Sequence, residues 1–368
     1  MKVTFPHMGH MYVPVKGLLE HIGLEVIVPP KSSKKTMNIG TQLSPEYACL
    51  PLKINIGNFV EAHELGADTI IMAGGVGPCR FGYYAQVQRE ILLDMGLNYE
   101  VIVLEPPDTH YSELVEKIKL LSNSWIKVVG GMYLAYTKAC AIDRIEKEVQ
   151  RIRPREIKFG KADEILDKAI GEIDKASVKK DITKAVEKGL SQLSELQIDT
   201  DKQVPKIAIV GEIYTVLEPF VNFHLEKLLG KLGVETTRSI YLSQWINDHL
   251  FLGLLPSESS RSMLKLSNPY LNSFVGGHGR ETIGSSVYYG QLGYDGVIQL
   301  APFTCMPEIV AHSVLSQVSK KYDMPTMSIY LDEQSGEAGL KTRVEAFVDL
   351  IKRQTATGGE KNEMLLGY

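Results

Sequence analysis

Two of the four cysteines in this 368-residue chain occupy matching slots. Cys79 lies in AGGVGPCRFGYYAQVQREIL and Cys305 in LAPFTCMPEIVAHSVLSQVSKKY, each where an apolar run gives way to a helical pattern. A helix N-terminus offers free N–H groups and partial positive charge, which favour a thiolate. Three chemistries fit such a pair: metal or cluster ligation, a redox dithiol, and nucleophilic attack. The chain has no C-x-x-C, which weighs against a thioredoxin-like or zinc-ribbon site. Cys49, in SPEYACLPLKINIGNFVEAHELGAD, directly precedes the helical pattern that feeds the strand before Cys79. Cys140, in YLAYTKACAIDRIEK, follows WIKVVGG, read here as a strand, and so takes a fourth carboxyl-end position. Four thiols from dispersed loops suit an iron–sulfur cluster better than zinc, whose structural sites draw on tight local pairs.

Other groups share these loops. His7 and His10 in FPHMGHM follow the first expected strand, and Glu212 and Tyr214 in VGEIYT take the same place in the second half. An acid directly after a buried strand needs a partner or a task. SFVGGHGRETIG, around His278, reads as a Gly-rich turn into a helix and a cradle for an anionic group. Neither a dinucleotide fingerprint nor a G-x-x-x-x-G-K-[ST] loop occurs, so any dependence on ATP would reside in a partner.

The elements that must position these residues come in two similar series. KVTFPH, VPVKGLLEHIG and LEVIVPP read as strand, helix and strand, and KIAIVGE, VNFHLEKLLGKLG and VETTRSIYL repeat the order. Each first helix ends in glycine, Gly23 or Gly233, as for a left-handed C-terminal cap. ADTIIMAGG and YEVIVLE flank the Cys79 segment as YDGVIQLAPF and PTMSIYLDE flank Cys305. The expected fold is α/β: two Rossmann-like parallel-sheet lobes, 1–136 and 204–353, with a helical connecting segment at 137–203 and a flexible tail at 354–368. In open parallel sheets ligands gather at the carboxyl ends of strands, so lobes facing each other about a pseudo-twofold would aim both thiols into one cleft.

Composition narrows the class. Hydrophobic residues make up 44% and charged residues 23%, ordinary values for a globular protein. A net charge of −4 and a pI near 6.2 favour neither nucleic acid nor an anionic membrane as partner. No apolar stretch reaches the ~18 residues of a membrane span, and MKVTFPHMG lacks a signal peptide's apolar segment, so a cytoplasmic location is expected.

ACLPLKINIGNFVEAHELGAD, GPCRFGYYAQVQREIL, GEIYTVLEPFVNFHLEKLLGKLGVE, GGHGRETIG and LDEQSGEAGLKTRVEAFVDLI together resemble the 2-hydroxyacyl-CoA dehydratase component D family, nearest its activase-related branch. The resemblance covers nearly the whole chain and implies Rossmann-like lobes around a cluster, most simply 4Fe–4S, held by Cys49, Cys79 and Cys305. It implies a partner as well: an ATP-dependent activase with its own 4Fe–4S cluster, which injects one low-potential electron so that a ketyl radical of the thioester substrate loses its 2-hydroxyl. Related proteins hold a double-cubane 8Fe–9S cluster and reduce small molecules; with four cysteines per chain, such a cluster would be shared by two copies or ligated differently. Family enzymes also pair with a related second subunit. Cys140 is a fourth ligand or a neighbour, and as a ligand it would close the open iron in favour of electron transfer. Glu212 and His278 are expected to orient substrate or to tune the cluster through hydrogen bonds to its ligands. Two rival expectations stand beside this one: a bilobed ligand-binding or electron-transfer scaffold without catalysis, and a thiol enzyme helped by His7 or His278.

Overall fold

The computed structural model describes residues 1–75, 77–104, 111–250 and 260–356. The N-terminal lobe runs β1 (Lys2–Thr4), α1 (Tyr12–His21), β2 (Glu25–Val26), α2 (Lys34–Leu43), α3 (Leu50–Glu64), β3 (Thr69–Ala73), α4 (Tyr84–Asp94), β4 (Glu100–Leu104) and α5 (Tyr111–Leu121). Three helices follow, α6 (Trp125–Ile152), α7 (Lys161–Lys175) and α8 (Lys179–Ser194). The C-terminal lobe opens with β5 (Lys206–Gly211), α9 (Ile213–Leu217), α10 (Leu225–Lys231), β6 (Glu235–Arg238), α11 (Leu242–Leu250) and α12 (Ser260–Ser267). It closes with α13 (Gly279–Gln291), β7 (Gly296–Pro302), α14 (Met306–Tyr322), β8 (Thr326–Leu331) and α15 (Glu337–Ala356).

Both lobes are α/β with a four-stranded, all-parallel sheet, and the strand order is the same in each: β2-β1-β3-β4 and β6-β5-β7-β8. The order reverses between β1 and β3 in one lobe and between β5 and β7 in the other, which makes their carboxyl ends the natural ligand edges. Strand β7, GVIQLAP, is buried along its whole length, as a strand covered on both faces must be. Gly23 and Gly233 have φ of +98° and +76°, the left-handed ends expected for the two matching helices.

The lobes do not keep separate cores. Met8, Leu50 and Ile54 of the first lobe and Ala139 of α6 pack into one cluster with Ile209, Tyr214, Val216 and Leu217 of the second. A second cluster joins α6, α7 and α8 and takes in Val13 of α1. Among the described residues no helix is long and apolar enough to cross a membrane.

Two boundaries differ from the sequence expectation. WIKVVGG is not a strand but the first two turns of α6, which starts at Trp125, with Ser124 accepting a hydrogen bond from the Lys127 N–H at its N-terminus. Its two glycines permit a close helix crossing: a Cβ on Gly130 would stand 2.8 Å from His21 Nε2, and one on Gly131 2.8 Å from a Leu18 methyl. The helical segment therefore begins twelve residues before the expected 137. At the other end α15 continues through residues 354–356, and the rest of the expected tail, 357–368, lies outside the described residues.

Candidate functional site

Three of the four cysteines share one structural position. Cys49 is the residue before α3, Cys305 the residue before α14, and Cys79 the residue before a short 3-10 turn (Arg80–Tyr83) that leads into α4. Proline follows two residues after both Cys49 and Cys305, where its missing N–H costs a helix nothing. The backbone N–H groups of Leu52, Phe81 and Glu308 each favour the charged form of the thiol that precedes them.

The three loops meet. Arg80, next to Cys79, donates from Nη1 to the Tyr47 carbonyl at 2.8 Å and from Nη2 to the Thr304 carbonyl at 2.7 Å and to Thr304 Oγ1 at 2.8 Å. Tyr47 and Thr304 lie two residues and one residue before Cys49 and Cys305. The thiols are near enough to act on one another, Cys79 on Cys49 and Cys49 on Cys305, and Glu212 acts on all three. Beneath them, buried Lys53 of α3 reaches Glu333, beyond β8, at 2.6 Å and ties the lobes together.

A glycine turn packs closely beside the sulfurs. Gly277, with φ of +49°, precedes α13, and a Cβ there would lie 3.0 Å from Pro307 Cγ and 3.8 Å from Cys79 Sγ. One point thus touches both the Cys79 thiol and the residue two beyond Cys305. His278, half-buried, is the residue before α13 in this same turn and makes no capping bond to that helix.

The electrostatics favour neutral thiols when nothing is bound. Burial, then Glu212, pushes the Cys49 thiol up to about 12. Burial also raises Cys79, with the Phe81 N–H and Arg80 working against it. Cys305 is raised furthest, by burial and then by Glu308 and Glu212. Glu308 is itself fully buried; burial pushes it up to about 8 although Gln299 Nε2 donates to it at 2.8 Å and Thr282 Oγ1 at 3.0 Å. Such a site accepts positive charge readily, because a cation that coordinates thiols drives their protons off.

Among the described residues no group of three or more His, Cys, Asp or Glu side chains closes to the spacing of a single metal ion. Thiolates on separate irons of one cluster stand wider apart, since the iron–sulfide core lies between them. Three thiols on three loops, drawn from both lobes and joined through Arg80, are donors of the kind such a group takes.

The other candidates divide. Glu212 is near the thiols, but both its oxygens are committed, accepting from the N–H groups of Tyr214 and Thr215 at 3.0 Å each at the start of α9. Its place after β5 is thus explained by capping, and its charge acts on the thiols from there. Cys140 is elsewhere: it sits within α6, among Tyr136, Asp143, Lys147 and Ser243 of α11, and none of the other three thiols acts on it. Its carboxyl-end placement falls with the strand that was to precede it. His7 is buried with Nδ1 3.0 Å from Glu218 Oε2, and His10 Nδ1 lies 2.6 Å from Glu146 Oε1. Both belong to the seam between the lobes.

Sequence reasoning missed Arg80, Thr304 and Tyr84. Arg80 sits in the quoted motif beside Cys79, yet a lone arginine entering a helix reads as solvated. The Tyr84 hydroxyl meets Cys49 Sγ, a contact 35 residues apart in sequence that no local pattern announces. No protein-family model matches the chain, and no significant match to it is found among curated proteins.

Proposed function

We propose that this chain is an iron–sulfur protein that holds a cluster on Cys49, Cys79 and Cys305. It takes low-potential electrons from an ATP-dependent activase and reduces or dehydrates a small substrate in the cleft between the lobes. The observation that carries the reading is the meeting of three helix-initiating thiols from both lobes, with Arg80 bonded into all three loops. When bound, a cluster on three protein thiolates supplies one-electron chemistry and leaves one iron free for an outside ligand. The chain's own residues do the rest. Helix-initial N–H groups and Arg80 favour the thiolate form, Tyr84 packs against Cys49, and the Gly277 turn passes close beside Cys79. The activase partner and the dehydratase-like chemistry rest on the motif resemblance; the geometry supports the cluster.

A second reading has an observation of its own. An apolar cavity of about 130 Å³ is lined by Met8, Met11, Leu18, Met132, Ile213 and Trp245, from both lobes and α6, and it suits a bilobed scaffold that closes on a small ligand. Electron paramagnetic resonance of anaerobically purified, chemically reduced protein separates the two. A cluster signal kept in Cys140→Ser and lost in Cys49→Ser, Cys79→Ser and Cys305→Ser is expected. Colourless, signal-free protein throughout would leave the scaffold.

A further inference from the structure

We infer that Arg80 is the positioning residue of the thiol site: one guanidinium clasps the loops of all three cysteines across both lobes and fixes the spacing a cluster would occupy. The inference rests on the reading of these thiols as cluster ligands, and it adds a residue that the cysteine pattern does not contain.

The clasp is made of two main-chain carbonyls and one hydroxyl. Arg80 follows Cys79 directly, and its three hydrogen bonds, all between 2.7 and 2.8 Å, end on Tyr47 and Thr304 rather than on any acid. Among the described residues no carboxylate forms an ion pair with Arg80. A planar fork with several fixed donors can hold two carbonyls in separate loops at once; a lysine ammonium on a flexible stem cannot fix the same geometry.

Thr304 shows what the clasp restrains. Its φ is +66°, a left-handed backbone that a β-branched residue adopts only when its surroundings hold it there. Two of the three Arg80 bonds fall on this residue, immediately before Cys305. A third contact closes the triangle, since Thr304 Oγ1 also lies 3.5 Å from the Tyr47 carbonyl. Strain at the turn that presents Cys305 is therefore matched by bonds from the residue that follows Cys79. The same guanidinium favours the charged form of Cys49 and Cys79. It serves as geometry and as field.

The test uses the full chain with Arg80→Gln and Arg80→Lys, and one readout needs no iron. The amides of Ala48, Leu52, Cys305 and Ile309 are hydrogen-bonded in the described structure, so their hydrogen exchange reports on the two clasped loops. In metal-free protein, Arg80→Gln should speed exchange at both loops roughly tenfold or more, with the thermal midpoint little changed. Arg80→Lys should behave similarly, because the fork is lost. In loaded protein both variants should hold less iron, while the reduction potential should move negative in Arg80→Gln and stay near wild type in Arg80→Lys, which keeps the charge. Unchanged exchange at both loops in Arg80→Gln, or a change confined to residues 79–83, would overturn the clasp whatever the iron content. Faster exchange at both loops in Arg80→Gln, beside a wild type that binds no iron, would keep the clasp and remove the cluster reading instead.

Discussion

Two polar clusters lie where the lobes meet, and their charges are answered differently. In the seam, His7 faces Glu218 at 3.0 Å, His10 faces Glu146 at 2.6 Å, and Arg238 bonds both Glu146 and Glu226. Arg153 and Asp163 pair at 2.7 Å close by. Each buried charge there has an opposite charge beside it, which is how a folded chain makes buried ions tolerable. At the rim, three thiols and Glu212 gather with Arg80 as the opposing cation at Cys49 and Cys79. The seam is built of ion pairs that join the lobes, whereas the rim holds thiols that burial keeps protonated and that a cation would have to deprotonate on binding.

The contrast can be broken first by thiol chemistry. With Cys49 held up to about 12, the metal-free protein should be alkylated there by iodoacetamide at neutral pH on the order of a thousandfold more slowly than a free cysteine. Mass spectrometry of timed samples reads this. A single fast-reacting thiol among Cys49, Cys79 and Cys305 would instead mark a nucleophile.

A seam residue should matter for stability and not for iron. Glu146→Ala removes one of the two carboxylates that answer buried Arg238, leaving Glu226, and takes the partner of His10 as well, so urea unfolding should show a loss of about 3 kcal/mol. Iron per folded chain should be unchanged. If this substitution emptied the rim while stability held, the two clusters would not be separate devices.

The pH profile sharpens the same division. Burial works against Glu146, but Arg238 and His10 outweigh it and bring the carboxyl down to about 2. The unfolded chain then binds the proton more readily, so this contribution is whole above about pH 5 and is lost as the pH falls towards about 2. Asp143 has the opposite sign: burial, then Glu146, pushes it up to about 6, so stability falls as pH climbs from about 4 to about 6. Denaturant midpoints across this range should lose that decline in Asp143→Asn. The smallest effect is expected furthest from either cluster, where Gly23→Ala, at φ +98° with open space around it, should cost about 1 kcal/mol and leave iron untouched.

How much was legible in the chain follows the same physics. Strands such as Thr69–Ala73 and Gly296–Pro302 declare themselves because apolar runs covered on both faces have few alternatives. The matching placement of Cys79 and Cys305 was legible through repetition, as the two lobes share one strand order. The placement of Cys49 was legible because it directly precedes a helical pattern. Other readings turned on packing and on local capping. Val128–Gly131 was read as part of a strand, whereas packing against α1 makes all four helical, and Cys140 moved with them. Glu212 was expected to need a partner or a task, and its partners are local, the backbone N–H groups two and three residues on. Arg80 could not be read at all, because its partners lie 33 and 224 residues away.

The most direct measurement is iron and acid-labile sulfide per chain in anaerobically purified wild type beside Cys305→Ser and Cys140→Ser. About four of each in the wild type and in Cys140→Ser, with a near-complete loss in Cys305→Ser, is the expected outcome for a cluster gripped from both lobes. Equal loading in wild type and Cys305→Ser, or no iron and sulfide in any of the three proteins, would contradict it.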